Sequence, residues 1–363
     1  MRVLVANAGS SSLKLRVLEP DDRVAAAIDL PAPRGRVDPS RIGRELEGLG
    51  TVDVVGHRIV HGGTEFTHAV RANDDVVRRL HALADLAPLH QPAALAVLTA
   101  VCKAMPGPPA ILCFDTAFHA TMPAEATTIA LPAEWRLKWN LKRYGFHGLS
   151  HAYASRRAAG MIGTAAGLRV VTCHLGSGAS LAAVVDGRSR DTTMGFTPLD
   201  GLVMATRSGS IDPGLVLWLQ GHAGTPPEEL ASTLDHRSGL LGLAGTADMR
   251  EIVARTEAGD PIAGLALDVY VHRLRAGIAA MSAAMDGLDA LVFTGGVGEN
   301  SAAVRQRSAD GLRFLGVALD PARNVEGSGD REIGRGDAPV RTLVVAARED
   351  LEIARQVREV MAG

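Results

Sequence analysis

A short pattern occurs twice and restricts the folds open to this chain. Residues 2–7, RVLVAN, read as a buried strand that ends in a glycine/serine turn. Residues 13–18, LKLRVL, alternate apolar and charged as a returning strand does. Further on, RVVTCH (169–174) is a strand, Gly176-Ser177-Gly178 a turn and SLAAVVDG the return strand. Val3, Gly9 and Ser10 correspond to Val170, Gly176 and Ser177 at a constant offset of 167. Each copy opens one half of the chain, so two similarly built domains facing a cleft are expected.

The length of 363 residues suits two domains, each large enough to bury a core. Lys and Arg total 38 against 40 Asp and Glu, a formal charge of −2. That excludes a generally basic nucleic-acid binder, so any anion site must be built locally. Cys102, Cys113 and Cys173 give no zinc spacing and no disulfide framework. All three lie in apolar runs, and buried reduced thiols in a cytoplasmic protein are expected. The N-terminal apolar run is too soon broken for a signal peptide, and no membrane span is read.

Between the repeats, residues 20–50 carry Pro20, Pro31, Pro33 and Pro39 and read as an irregular connection or a short extra element. Residues 52–60 and 110–114 read as strands, and 75–105 as helix broken near Pro88 and Pro92. In the second half, helices are expected near 226–235, 247–257 and 261–286. Residues 288–300 read as a strand, a glycine turn and then a helix; 342–347 as the last strand; 349–362 as an amphipathic final helix.

Several loops carry groups suited to anions. Asn7-Ala8-Gly9-Ser10-Ser11-Ser12-Leu13-Lys14 exposes backbone N–H groups and hydroxyls that cradle a phosphate, with Lys14 as a point charge; a plain hairpin turn is the alternative. Gly295-Gly296-Val297-Gly298-Glu299-Asn300 is a second glycine turn, or merely a strand–helix connection. Arg58 at a strand end offers a planar fork for a carboxylate or phosphate, or a surface ion pair. His57 and His61 on a strand point away from a metal pair. Asp115 closes an apolar strand, where α/β folds place ligands, or it caps the next helix. His147, Arg207 and Glu349 add a loop histidine, a loop cation and a carboxylate suited to Mg²⁺ or to a helix start. Two phosphate-type turns, two loop arginines and strand-end carboxylates together fit phosphoryl transfer, which needs charge neutralisation and in-line positioning.

The same blocks resemble the acetate kinase (acetokinase) family. The resemblance runs through NAGSSSLK (7–14), HRIVHGG (57–63), APLHQPA (87–93), FDTAFHATMP (114–123) and RYGFHGLSH (143–151). It continues through HLGSGAS (174–180), DTTMGFTPLDGLVMATRSG (191–209), SGLLGL (238–243), DMR (248–250), FTGGVGENS (293–301) and EDLEIAR (349–355). It implies an α/β fold of two duplicated ribonuclease-H-like domains flanking a nucleotide cleft. Residues 1–147 with 348–363 would form the acid-binding domain, and 148–347 the nucleotide-binding one. It implies a homodimer and Mg²⁺-dependent conversion of ATP and acetate to ADP and acetyl phosphate, with Mn²⁺ as a substitute for Mg²⁺.

By matching position, Asn7 and Glu349 would hold the metal. Ser10, Ser12 and Lys14 would lie along the phosphates. His174, Leu175, Gly176, Ser177 and Gly178, then Asp248, Met249 and Arg250, then Gly295, Gly296, Val297, Gly298 and Glu299 would hold nucleotide. Arg58 would bind the acetate carboxylate, and Val60, Leu89, Phe146 and Pro198 would surround its methyl group. His147 and Arg207 would stabilise the transferring phosphoryl group, and Asp115 matches the family's catalytic acid. The chain departs from the family pattern at Gln91, Ser177, Ala205 and Arg348, which leaves the phosphoryl donor open between ATP and pyrophosphate. A propionate or other short-chain acid kinase, and a non-catalytic nucleotide-binding module on the same scaffold, are the alternatives.

Overall fold

The computed structural model describes residues 1–9, 12–32, 37–87 and 91–363, the side chain of Asp85 excepted. Ser10 and Leu89, both expected at the site, lie outside the described residues, as does Pro88.

The strands are β1 (Val3–Ala8), β2 (Ser12–Leu18), β3 (Val24–Pro31), β4 (Val54–Ile59), β5 (Val70–Arg71), β6 (Ala110–Phe114), β7 (Arg169–Leu175), β8 (Ala179–Val185), β9 (Arg188–Thr192), β10 (Ala290–Thr294), β11 (Arg331–Glu332) and β12 (Arg341–Val344). They form two six-stranded sheets, ordered β3-β2-β1-β4-β6-β5 and β9-β8-β7-β10-β12-β11. In both, an antiparallel three-strand meander leads into parallel strands (β1, β4 and β6; β7, β10 and β12), and a short antiparallel strand closes the edge. The two sheets thus match strand for strand and confirm the duplication read from the 167-residue offset.

In the first sheet, β1 buries both faces, which is why its sequence is a continuous apolar run. Leu4 and Ala6 pack with Ile42, Leu46, Val97 and Val101 from the helices Pro39–Glu47 and Gln91–Ala104. Val3 and Val5 pack with Ile353, Ala354 and Val357 of the C-terminal helix Glu349–Ala362. Gly56 on β4 permits this approach: a Cβ there would lie 2.6 Å from Ile353 Cγ2 and 2.7 Å from Val357 Cγ2.

The chain divides into one unit of Met1–Ala120, Phe146–Tyr153 and Arg348–Gly363, and another of Thr121–Gly145 and Ala154–Ala347. One boundary falls inside the helix Gly148–Ile162. The expected division kept 121–145 with the first domain. Instead, Thr121 Oγ1 donates to Ser189 O, Arg143 Nη1 to the carbonyls of Thr192, Thr193 and Met194, and Tyr144 N to Gly195 O.

Other differences are local. Residues 20–50 hold β3 and the helix Pro39–Glu47, which Asp38 caps through Ser40 N. The glycines at 295–298 lie inside a helix, Gly295–Asn300, which starts directly after β10 without a separate turn. Cys113 and Cys173 are buried, and burial raises both thiols, but Cys102 is exposed on its helix. Among the described residues no helix is long and apolar enough to cross a membrane.

Candidate active site

In the first unit the C-terminal ends of β1, β4 and β6 meet the start of the C-terminal helix. Asn7, Arg58 and Asp115 share the sheet face of Val5, Gly56 and Cys113, because alternate strand residues share a face. Glu349 is the first residue of the helix that packs there. Asn7 Nδ2 donates to Glu349 Oε2 at 2.6 Å. Arg58 donates Nε (3.0 Å) and Nη2 (2.5 Å) to Asp115 Oδ2, and Nη1 to Ala8 O at 2.7 Å. Three guanidinium N–H groups are therefore used among the described residues, and the plane of the fork is fixed.

Asp115 is 1% exposed and Arg58's side chain 12%. Burial pushes the Asp115 carboxyl above its usual value; the Arg58 guanidinium opposes this and the Glu349 carboxylate adds to it. Burial works against the Arg58 charge, but Asp115 and Glu349 overcome it and hold the guanidinium above its usual value. Among the described residues the Asp115 Oδ1 is buried, and the backbone N–H of His147 bonds the carboxyl and works to lower its pKa.

Mg²⁺ takes hard oxygen donors, keeps several waters and relies on substrate phosphates for the rest of its shell. The amide oxygen of Asn7 and the carboxylates of Glu349 and Asp115 fit that demand. Among the described residues no cluster of three His, Cys, Asp or Glu side chains would hold a metal unaided. Arg348, beside Glu349, folds its guanidinium onto Asp350, with Nη2 2.9 Å from Oδ2.

His61 and His119 are framework. His61 pairs through its backbone with the buried Gln91 side chain, at 3.1 and 3.0 Å, and its Nδ1 accepts from Gly63 N. Its ring meets Phe146 edge-on at 5.5 Å, and His119 Nε2 lies 3.0 Å from Phe146 O. Val60 and Phe146 are buried in this unit. His147 adopts a left-handed backbone (φ 57°) just before the helix Gly148–Ile162. Ser12 and Lys14 lie on β2, with Lys14 exposed and directly opposite Asn7.

The second unit holds the remaining candidates. Gly176 N closes the turn after β7 on Gly178 O at 2.9 Å, and Ser177 O accepts from Ala205 N at 3.1 Å. Gly295 has φ 79°, and a Cβ there would lie 2.8 Å from Leu175 O, so the glycine helix sits directly against the end of β7. Glu299 Oε1 accepts from Ala347 N. Arg305, 1% exposed, donates to the carbonyls of Gly298 and Glu299 and to Asn324. Asp248 caps the helix Met249–Glu257 and binds the exposed Arg250, whose hydrogen bonds lower the Asp248 pKa to about 2. Arg207 is 9% exposed, pairs with Asp235 (2.8 Å) and donates to Pro198 O (3.2 Å). Sequence reasoning missed Asp235 and Arg305. The available signal was only their nearness to recognised blocks, Asp235 just before SGLLGL (238–243) and Arg305 just after FTGGVGENS (293–301).

A buried strand-end carboxylate and arginine on one duplicated sheet, with a glycine turn and a glycine-rich helix start at the strand ends of the other, fit a phosphotransferase of the α/β kinase type. The acetokinase family model matches residues 41–355, and the chain belongs to that family. It is 42% identical over 399 aligned residues to the acetate kinase of Nostoc sp., with 98% of each chain covered. It also resembles the solved acetate kinase of Porphyromonas gingivalis (34% identity, TM-score 0.90, 99% of each chain). A solved propionate kinase from Francisella tularensis is comparably similar (35%, 0.89, 98% of each chain).

Proposed function

We propose that this chain reversibly transfers the γ-phosphoryl group of ATP to acetate. The observation that carries the reading is the Asn7–Arg58–Asp115–Glu349 constellation in a chain of the acetokinase family. An acetate oxygen attacks the γ-phosphorus, the bond to the bridging oxygen breaks, and acetyl phosphate and ADP result. Acetate is ionised at neutral pH, so the attacking oxygen has no proton to lose. Asp115 therefore acts by orienting Arg58, consistent with its double hydrogen bond, and not as a base.

Arg58 binds the acetate carboxylate with its remaining N–H groups. Val60, Leu89, Phe146 and Pro198 surround the methyl group. Ser10, Ser12 and Lys14 lie along the nucleotide phosphates. The 174–178 turn, the 248–250 loop and the 295–299 helix start hold the nucleotide. His147 and Arg207 stabilise charge on the transferring phosphoryl group. Asn7 and Glu349 would hold Mg²⁺ (or Mn²⁺), which would supply neutralisation of the phosphate charge. The protein works in the cytoplasm as a homodimer. The exposed apolar side chains of Trp135, Leu137, Trp139, Leu217 and Trp218, on two helices without buried residues, support association.

The propionate kinase resemblance favours a second acid. One added CH₂ is worth only about 1–3 kcal/mol in discrimination. Acyl phosphate trapped as hydroxamate, with Mg²⁺ and ATP or pyrophosphate against acetate, propionate and butyrate, tests the reading. Product with acetate and ATP, weaker with propionate, is expected. No product with any pair would sink it and favour a nucleotide-binding module. Arg207→Ala should lower turnover by roughly 10²–10³ with little change in KM for ATP.

A further inference from the structure

We infer that Asp235 is the positioning residue for Arg207, fixing the rotation of its guanidinium so that it meets the transferring phosphoryl group in one orientation. The inference rests on the reading that Arg207 faces that group.

Asp235 is a costly residue where it stands. It lies in the last turn of the helix Pro227–His236, where a carboxylate meets the negative end of the helix dipole. It is also only 7% exposed. Neither the helix nor the burial favours a charge there. Arg207 does: its Nε lies 2.8 Å from Asp235 Oδ1, with both side chains about nine-tenths buried.

The carboxylate is not needed to shape the loop. Ser208 N bonds Leu234 O (3.0 Å), Ser238 N bonds Thr206 O (2.9 Å) and Met204 N bonds Arg207 O (3.1 Å). Thr206 Oγ1 reaches the backbone carbonyl of Asp235 at 2.8 Å. The Met204–Arg207 bond closes the loop on itself and the other three join residues 204–208 to 234–238, all without the Asp235 side chain. The carboxylate adds one constraint that they do not supply, the rotation of the guanidinium. Pro198 O, 3.2 Å from Nη1, holds another part of the fork.

The first unit repeats the device. Asp115 grips Arg58 through Nε, and a carbonyl, that of Ala8, takes Nη1. In both cases a buried carboxylate on Nε and a carbonyl on Nη1 set the plane of an arginine. Catalytic groups need placement within about 0.5 Å and 10–20°. A misplacement of about 1 Å costs roughly 10² in rate.

The test compares Asp235→Asn, Asp235→Glu, Arg207→Ala and the Arg207→Ala/Asp235→Asn double variant in the full-length enzyme. Turnover per folded molecule and both KM values are measured with ATP, Mg²⁺ and acetate, and folding is checked by circular dichroism. Asp235→Asn should lower kcat by about 10- to 100-fold, with KM for ATP and acetate within about threefold. The double variant should match Arg207→Ala, because Asp235 acts only through Arg207. A purely structural role would lower the folded fraction and leave kcat per folded molecule intact.

Near-normal turnover in Arg207→Ala would overturn the reading of Arg207, and this inference with it. Impaired Arg207→Ala beside an unimpaired Asp235→Asn, or losses that multiply in the double variant, would overturn the role of Asp235 alone. Should Asp235→Asn not fold, Asp235→Glu decides. Its carboxylate is displaced by one methylene, so kcat should fall at least about fivefold at unchanged KM. Unchanged kcat overturns the inference.

Discussion

Arg58 meets Asp115 through Nε and Nη2 on one carboxylate oxygen, so Asp115 sets the direction of the guanidinium as well as balancing its charge. Removing one partner of a buried pair leaves an uncompensated charge, whereas removing both with apolar groups of similar volume is often tolerated. Asp115→Asn should therefore cost about 3 kcal/mol in urea unfolding and lower turnover by roughly 10². Arg58→Met combined with Asp115→Leu should recover most of the stability and none of the activity. Normal turnover in Asp115→Asn would exclude an orienting role. The strand-end position of both residues was readable from where their apolar runs stopped. That Asp115 orients an arginine could be argued from the ionisation of acetate, but Arg58 could not be singled out over Arg207, because 57 residues separate Arg58 from Asp115 and the parallel register of β4 on β6 brings them together.

The C-terminal helix carries Glu349 to the strand ends, and Gly56 sets how closely that helix lies on the sheet. A methyl group at position 56 must displace Ile353 and Val357 or move the helix. Gly56→Ala should therefore destabilise the protein by about 1–3 kcal/mol, the usual range for overpacking. It should also raise the Mg²⁺ concentration needed for half-maximal turnover as Glu349 shifts. Adding Ile353→Ala removes one colliding side chain and should relieve part of both effects; no relief would place the strain elsewhere. The final helix and the apolar strands were legible because their periodicities are strong. The 20–50 segment was not: its prolines read as breakers, yet Pro39 occupies the first turn of a helix and Pro31 ends an edge strand. The 295–298 glycines likewise read as a turn, whereas packing against β7 holds them in a helix.

At the scale of the molecule, three identities at a constant offset pointed to the duplication only together with the apolar strands that flank them in both copies, and the two sheets share one strand order. The fine boundaries of the two units were hidden because Thr121–Gly145 owes its place to side-chain and backbone bonds with distant carbonyls, which leave no local pattern. The division also localises sensitivity to acid. His57, His61 and His119 all belong to the first unit, and burial lowers each from 6.5 to about 4. Among the described residues His57 Nε2 is buried without a partner, and protonating His61 Nδ1 would break its bond from Gly63 N. Between pH 6.5 and about 4 the unfolded chain therefore binds more protons than the folded one. Stability is complete above the unfolded value and falls as pH drops through that window. At 1.36 kcal/mol per pH unit, each histidine contributes roughly 3 kcal/mol over the full range and about 2 kcal/mol by pH 5. Urea midpoints at pH 7.5, 6.0 and 5.0 should fall in that order, and early proteolytic cuts at pH 5.0 should map to Met1–Ala120. His57→Leu should lose about 2 kcal/mol less than the parent between pH 7.5 and 5.0. An equal loss in the two proteins would mean that His57 is not the proton acceptor its burial implies.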